Sequence, residues 1–155
     1  MEAALRPERP DDESFVYRLY ASTRDAELGH LPLPPEAKSA LLRQQFDAQR
    51  RHYAAHYADA SLQIVELDGA PVGRLYVGRW EDEVRIIELS LVPEVRGRGL
   101  GSALLTTLIA EARAARLPLR IHVAVTNPAV RLYLRLGFAA LDNDGVHMLM
   151  EHRGA

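Results

Sequence analysis

Three glycines at alternate positions, in Arg96-Gly97-Arg98-Gly99-Leu100-Gly101, stand between two apolar runs, Ile86 to Val92 and the alanine-rich Leu100 to Ala115. Strand, glycine loop, helix is the order that builds an anion site. Glycines let the backbone turn tightly and approach a ligand without Cβ clashes. The N–H groups that open the helix then face the ligand, aided by the positive end of the helix dipole. Arg96 and Arg98 add positive charge. The chemistry these residues point to is recognition of a diphosphate-bearing ligand.

What is missing narrows the ligand. A Walker A loop needs Gly-Lys-Ser/Thr, and the only lysine is Lys38, far from the loop. A dinucleotide fingerprint needs Gly-x-Gly-x-x-Gly, but Ser102 follows the Gly97 pair at the required position and Leu104 follows the Gly99 pair. The loop also sits in the second half of the chain, which leaves too little sequence for a full doubly wound domain.

The spacing Arg96-x-x-Gly99-x-Gly101 resembles the coenzyme A pyrophosphate loop of GNAT-type N-acetyltransferases. Glu88-Leu89-Ser90-Leu91-Val92-Pro93-Glu94-Val95 resembles the strand that enters that loop. Asn127-Pro128-Ala129 through Leu132-Tyr133-Leu134-Arg135-Leu136-Gly137-Phe138 resembles the family's second signature. The two lie in the right order, joined by a helix of suitable length. The resemblance implies a single-domain α/β GNAT-like fold over residues 1–155. Its mixed central sheet would have a splayed parallel pair, the fourth and fifth strands, and helices on both faces. It implies acetyl-CoA as cosubstrate, with the pantetheine arm along the backbone of Leu89, Ser90 and Leu91. The diphosphate would rest on Arg96, Gly97, Arg98, Gly99, Leu100, Gly101 and Ser102, and Asn127 would touch the coenzyme A arm. Asn127 is also a natural helix N-cap, with Pro128 in the first turn.

The implied reaction is attack of an amine on a thioester. It needs a base for the ammonium proton, donors for the oxyanion and an acid for the leaving thiolate. Tyr133 matches the family position that faces the thioester sulfur and is the candidate acid; the reference values, about 10 for tyrosine and 8.5 for a thiol, bring proton exchange between them within reach. Two bases stay open. Glu88 lies on the strand entering the loop, where several family members place a carboxylate. His122 lies on the next strand, near where ribosomal-protein acetyltransferases of this family carry theirs. Alternation groups His122 with Arg120 and Ala124, opposite Ile121, Val123 and Val125. A catalytically idle acyl-CoA sensor or protein-interaction module is the different-class alternative.

These groups must be positioned by an ordered framework, which the rest of the chain supplies. Residues 3–8 read as a first strand. Asp11-Asp12 reads as the cap of a helix running to about Glu27, with Phe15, Leu19 and Ala26 on one face. Leu31-Pro32-Leu33-Pro34-Pro35 is a stiff break. A long helix follows from Glu36 to about Tyr57, with Leu41, Leu42, Phe46, Tyr53 and Tyr57 at helical spacings. Strands 62–67 and 71–79 join through Asp68-Gly69, a hairpin signal. Strand 84–92, helix 100–115 and strand 119–125 form a parallel βαβ unit with a right-handed crossover. A short helix, 130–136, and a hairpin of 138–141 with 146–151 close the chain.

Composition bounds the function classes. At 155 residues the chain can bury one core and is too short for two full domains. Net charge is −2, so no global basic field argues for nucleic acid or an anionic membrane. No apolar run approaches a membrane span, and Met1 to Arg6 shows no basic region leading a secretory core. With no cysteine there are no disulfides, metal thiolates or cysteine nucleophile; a cytoplasmic setting is expected. His52 and His56 have chelating spacing, but Tyr53 stands where the zinc-protease pattern needs Glu, so no metal is expected. The face of Gln45, Gln49, His52 and His56 reads as solvent-facing or substrate-lining. The expected acceptor is a small-molecule amine or a peptide N-terminus, and homodimerisation stays open.

Overall fold

The computed structural model describes residues 3–152, the side chains of Ala26 and Glu27 aside. Met1 and Glu2, part of the stretch read for a leader, lie outside the described residues, as does the Ala26 side chain read onto the first helix face. The strands are β1 (Ala3–Pro7), β2 (Ser61–Leu67), β3 (Ala70–Arg79), β4 (Val84–Leu91), β5 (Leu119–Ala124), β6 (Ala139–Asn143) and β7 (His147–His152). The helices are α1 (Glu13–Gly29), α2 (Pro35–His56), α3 (Leu100–Ala115) and α4 (Val130–Arg135). All seven strands join one sheet in the order β1-β2-β3-β4-β5-β7-β6. Every pairing is antiparallel except β4 with β5.

Both faces of the sheet are covered. On one, Leu100, Leu104, Leu105, Leu108, Ile109 and Ala112 of α3 join Leu75, Val77, Val84, Ile86, Leu119, Ile121 and Val123 in the main core. That stripe recurs every three to five residues, as an α-helix lying on a sheet requires. On the other face Val16 and Tyr20 of α1, Phe46 of α2 and Ile64 of β2 form a smaller core. The buried α1 positions among the described side chains are Val16, Leu19, Tyr20 and Leu28, while Phe15 is only half-buried, so the helix is turned by about one residue from the expected face.

Local signals explain most boundaries. Asp68 (φ 54°) and Gly69 (φ 81°) are both left-handed, the backbone a tight two-residue hairpin needs. Pro35 opens α2, where its missing N–H costs nothing. Asp12, expected to cap α1, makes no capping bond to it. Its carboxylate instead accepts two 2.8 Å bonds from Arg6 on β1 and one of 2.7 Å from the Arg9 N–H. The charge pair outcompetes the cap, and it fastens β1 to the start of α1.

The sheet opens where the site must be. β4 and β5 pair only over Val84–Ile86 and Leu119–Ile121, then part. At the closed end of this wedge Glu83 receives Arg85 at 3.1 Å and Arg120 at 3.2 Å, and Arg120 also binds Glu151 at 2.8 Å. At the point of parting β4 carries a bulge: Tyr76 faces Glu88 and Val77 faces Ile86, which leaves Ile87 as the extra residue. A bulge re-aims the side chains beyond it. Strict alternation from Val84 and Ile86 would send Glu88 into the α3 core. The extra residue places Glu88 and Ser90 on the α1/α2 face instead, with Leu89 and Leu91 packed against the main core.

Candidate active site

The glycine loop lies at the open end of the wedge. After a 3-10 turn at Pro93–Val95, Gly97 (φ 76°) and Gly99 (φ 83°) take left-handed conformations, and a Cβ on either would project into open space. Gly101 differs: it lies in the first turn of α3, where a Cβ would make ordinary contacts with Leu132 and Leu91 at 3.6 and 3.7 Å. Two of the three glycines therefore serve the turn, and the third serves close approach. Gly99 is the N-terminal boundary of α3 and no side chain caps it. The bond from the Ala103 N–H to the Gly99 carbonyl (3.0 Å) is the first of the helix, so the N–H groups before it point out of the helix end. These are the donors a diphosphate takes, and the loop fits that group. Arg98 is exposed beside them. Arg96 is exposed too, but its Nε donates to the Leu91 carbonyl at 2.9 Å, tying the loop to the end of β4. Ser102 is half-buried in the same first turn, and Leu100 is buried in the core.

β3 holds β4 in place here. A Cβ on Gly73 would collide with the Ser90 carbonyl oxygen and lie 2.7 Å from Leu91 Cδ2, so only glycine permits this approach. Ser90 is buried and its hydroxyl donates to Glu88 Oε2 in a short bond. Glu88 also accepts the Tyr53 hydroxyl at 3.0 Å on Oε1, and Arg74 Nη2 stands 3.7 Å from Oε2. Arg74 is 1% exposed, donates to Gln49 Oε1 at 2.9 Å, and lies over the Tyr76 ring at 5.2 Å. The Tyr76 hydroxyl donates to Glu8. Burial, followed by the Glu88 charge, pushes Tyr53 far above the ordinary tyrosine range, so it remains a donor. Gln49, Tyr53 and Arg74 thus complete a polar cluster around Glu88. Gln49 and Tyr53 are one helical turn apart on α2, a spacing visible in the sequence; Arg74 gave no sequence signal.

Tyr133 on α4 is 2% exposed, with its ring 5.5 Å from Phe138. Burial raises its pKa and the Glu88 charge adds to that, which puts the phenol and the carboxylate within electrostatic reach of each other. Asn127 Oδ1 accepts the Ala129 N–H at 2.9 Å in the turn ahead of α4, a cap-like bond from two residues before the helix N-cap, Ala129. His122 is exposed on the α1/α2 face of β5, in the alternation expected, and its ring neighbour is His147 of β7 at 5.5 Å. The structure therefore holds Glu88 and Ser90 together on the α1/α2 face of β4, packs Tyr133 into the main core, and gives His122 a histidine partner on the neighbouring strand.

His52 and His56 stack at 4.3 Å and are exposed, as is Gln45, whereas Gln49 turns inward to Arg74. Among the described residues no three or more His, Asp or Glu side chains gather as a metal ion would need. Among the same residues no helix is long and apolar enough to cross a membrane.

Comparison with known proteins agrees with this geometry. The sequence model described as the acetyltransferase (GNAT) family matches residues 15–138. A Bacillus subtilis (strain 168) protein, provisionally described as a ribosomal protein bS18-alanine N-acetyltransferase, is 29% identical over 141 residues, covering 88% of this chain and 80% of its own. A PaiA N-acetyltransferase from Thermoplasma acidophilum, solved in complex with coenzyme A, superposes with a TM-score of 0.73 at 16% identity over 99% of both chains. An acetyltransferase from Thermus thermophilus gives 0.68 at 21% identity, covering 98% of this chain and 97% of its own. At these identities the solved structures establish a shared fold.

Proposed function

The chain belongs to the acetyltransferase (GNAT) family and is an acetyl-CoA-dependent acyltransferase, and from that premise we propose that it acetylates a primary amine by direct attack in a ternary complex. The observation that carries this reading is the wedge between β4 and β5, with Glu88 on β4 just beyond the point of parting and the uncapped α3 N-terminus at its open end. Acetyl-CoA supplies the electrophilic thioester. The N–H groups opening α3, with Gly97, Gly99 and Arg98, would hold its diphosphate. The unpaired edge of β4 from Glu88 to Leu91 would align the arm, with Asn127 at the other wall.

Glu88 is the group we assign to receive the amine. Its carboxylate is held by Tyr53 and Ser90, and from there it would orient an ammonium and take its proton directly or through water. Tyr133 is assigned to the leaving sulfur. Its raised pKa makes it a weaker acid than free tyrosine, so full transfer to a thiolate runs uphill; the hydroxyl acts best as a donor to charge developing on the sulfur. His122 is the weaker candidate, because its neighbour is His147 rather than the Glu88 cluster. The Bacillus subtilis relative is described by a ribosomal-protein alanine, which keeps peptide amines beside small-molecule amines as acceptors. The absence of cysteine accords with a cytoplasmic setting.

The test is one variant, Tyr133→Phe, assayed beside the wild type for coenzyme A release with saturating amine. Tyr133→Phe should lower kcat by about 10²-fold or more with little change in acetyl-CoA affinity. Unchanged kcat in a folded Tyr133→Phe protein would remove Tyr133 from the reaction.

A further inference from the structure

Arg74 is out of place for a wall residue. It is the largest fully buried side chain on β3, in a strand otherwise apolar from Val72 to Val77. Its Nη2 donates to Gln49, the Tyr76 hydroxyl is a further side-chain partner, and its Nε and Nη1 have no hydrogen-bond partner among the described residues. Glu88 at 3.7 Å is an ion-pair neighbour beyond hydrogen-bond reach. Donors of a buried guanidinium left unpaired are costly, and native structures complete them. The charges nearby set a second condition. Arg74 and Glu88 neutralise each other. A simple ammonium brought to Glu88 leaves one uncompensated positive charge in a buried site, which is strongly disfavoured. An acceptor that carries its own negative charge leaves none.

Resting on the acetyltransferase reading above, we propose that the acceptor is a free α-amino acid or a close zwitterionic analogue, with Arg74 as the specificity-determining residue. The ammonium lies at Glu88 and the carboxylate on Arg74. The two charges of an α-amino acid are two carbons apart, on the scale of the 3.7 Å between Arg74 Nη2 and Glu88 Oε2. Gln49 holds the carboxylate's place: its neutral amide oxygen accepts the bond from Arg74 Nη2, and a carboxylate is the stronger acceptor. Binding therefore displaces the Gln49 side chain from Arg74 and completes the guanidinium with a charged, bidentate partner.

The experiment compares an equimolar mixture of L-amino acids with the same amino acids as carboxamides, which keep the ammonium and lose the carboxylate. Acetylated products are read by mass spectrometry with acetyl-CoA present. At least one acid should be acetylated about tenfold or more faster than its carboxamide, the value of one charge-assisted hydrogen bond. Arg74→Gln should collapse that ratio towards one, the ratio being taken within each protein so that any change in overall rate through Glu88 cancels. Gln49→Ala should lower KM for the acid relative to the KM for its carboxamide. Equal or faster acetylation of the carboxamides, or acetylation only of amines without a carboxylate, overturns the inference and leaves the acetyltransferase reading intact. If no amine is acetylated, that reading fails, and thermal stabilisation of the wild-type protein with coenzyme A by the acid mixture but not the carboxamides still supports the Arg74 site. No such stabilisation overturns it.

Discussion

Replacing Gly99 and Gly101 with alanine, one at a time, should move stability in opposite directions while weakening coenzyme A binding in both. Gly99 has φ 83°, and an L-residue in the left-handed region costs about 1–2 kcal/mol. For a chain of this length that is a fall in Tm of roughly 2–8 °C. Gly101 is helical and its added methyl would meet Leu132 and Leu91 at 3.6 and 3.7 Å, ordinary contact distances. Alanine there relieves glycine's entropic penalty, a gain of roughly 0.5 kcal/mol, and Tm should hold or rise slightly. Both alanines stand at the helix end assigned above to the diphosphate. Affinity for coenzyme A should fall about tenfold or more in each, equivalent to about 1.4 kcal/mol. Calorimetric titration with coenzyme A and a thermal melt of each apo protein separate the two effects. A stabilised Gly101→Ala protein that binds coenzyme A like the wild type would refute the close-approach reasoning. A Gly99→Ala protein with unchanged Tm would refute the strain reasoning.

Glu88→Gln should lower kcat/KM by about 10²-fold or more, whereas His122→Gln should stay within about tenfold of wild type; steady-state kinetics with the best acceptor decides, and the reverse order would move the base to β5. Tyr53→Phe removes the 3.0 Å bond to Glu88 and should cost about 1 kcal/mol of stability in a melt, with kcat falling more than acetyl-CoA affinity. The Asp12 carboxyl, ordinarily near 3.8, is held down at about 2 by the hydrogen bonds of Arg6. A depressed carboxyl contributes stability above its ordinary value that is lost as pH falls through the depressed one. Denaturant melts should therefore show acid loss between about 3.8 and 2 that is smaller in Asp12→Asn; identical pH profiles would dissociate the pair from stability.

The glycine loop, the Asp68-Gly69 hairpin and the βαβ order were legible because each depends on local chemistry: positive φ, turn residues and hydrophobic period. The splay itself was available only through the family resemblance. Its physical signs, the short β4/β5 register and the Ile87 bulge, are matters of pairing between strands. The bulge shows the limit most clearly. Alternation along β4 counts faces two by two, and one extra residue, invisible in composition, sends Glu88 to the α1/α2 side. The Glu88 surroundings were hidden for a related reason: Tyr53 reaches it across 35 residues and Gln49 reaches Arg74 across 25. Gln49 and His52 read alike as polar positions on one helix face, yet packing turns the first inward and leaves the second exposed. Asp12 shows local propensity losing to a tertiary partner, since Arg6 on β1 offers its carboxylate more than the helix N-terminus does.

The central claim, transfer of an acetyl group to an amine held between Glu88 and Tyr133, is tested most directly by following both products at once. Purified protein would be incubated with acetyl-CoA and a mixture of amino acids, polyamines and short peptides, and free coenzyme A and N-acetylated products quantified by mass spectrometry. The account predicts equal amounts of coenzyme A and one class of acetylated amine, with both falling together in Glu88→Gln and Tyr133→Phe. Coenzyme A released without any acetylated amine, or acetylation untouched by both substitutions, would contradict it.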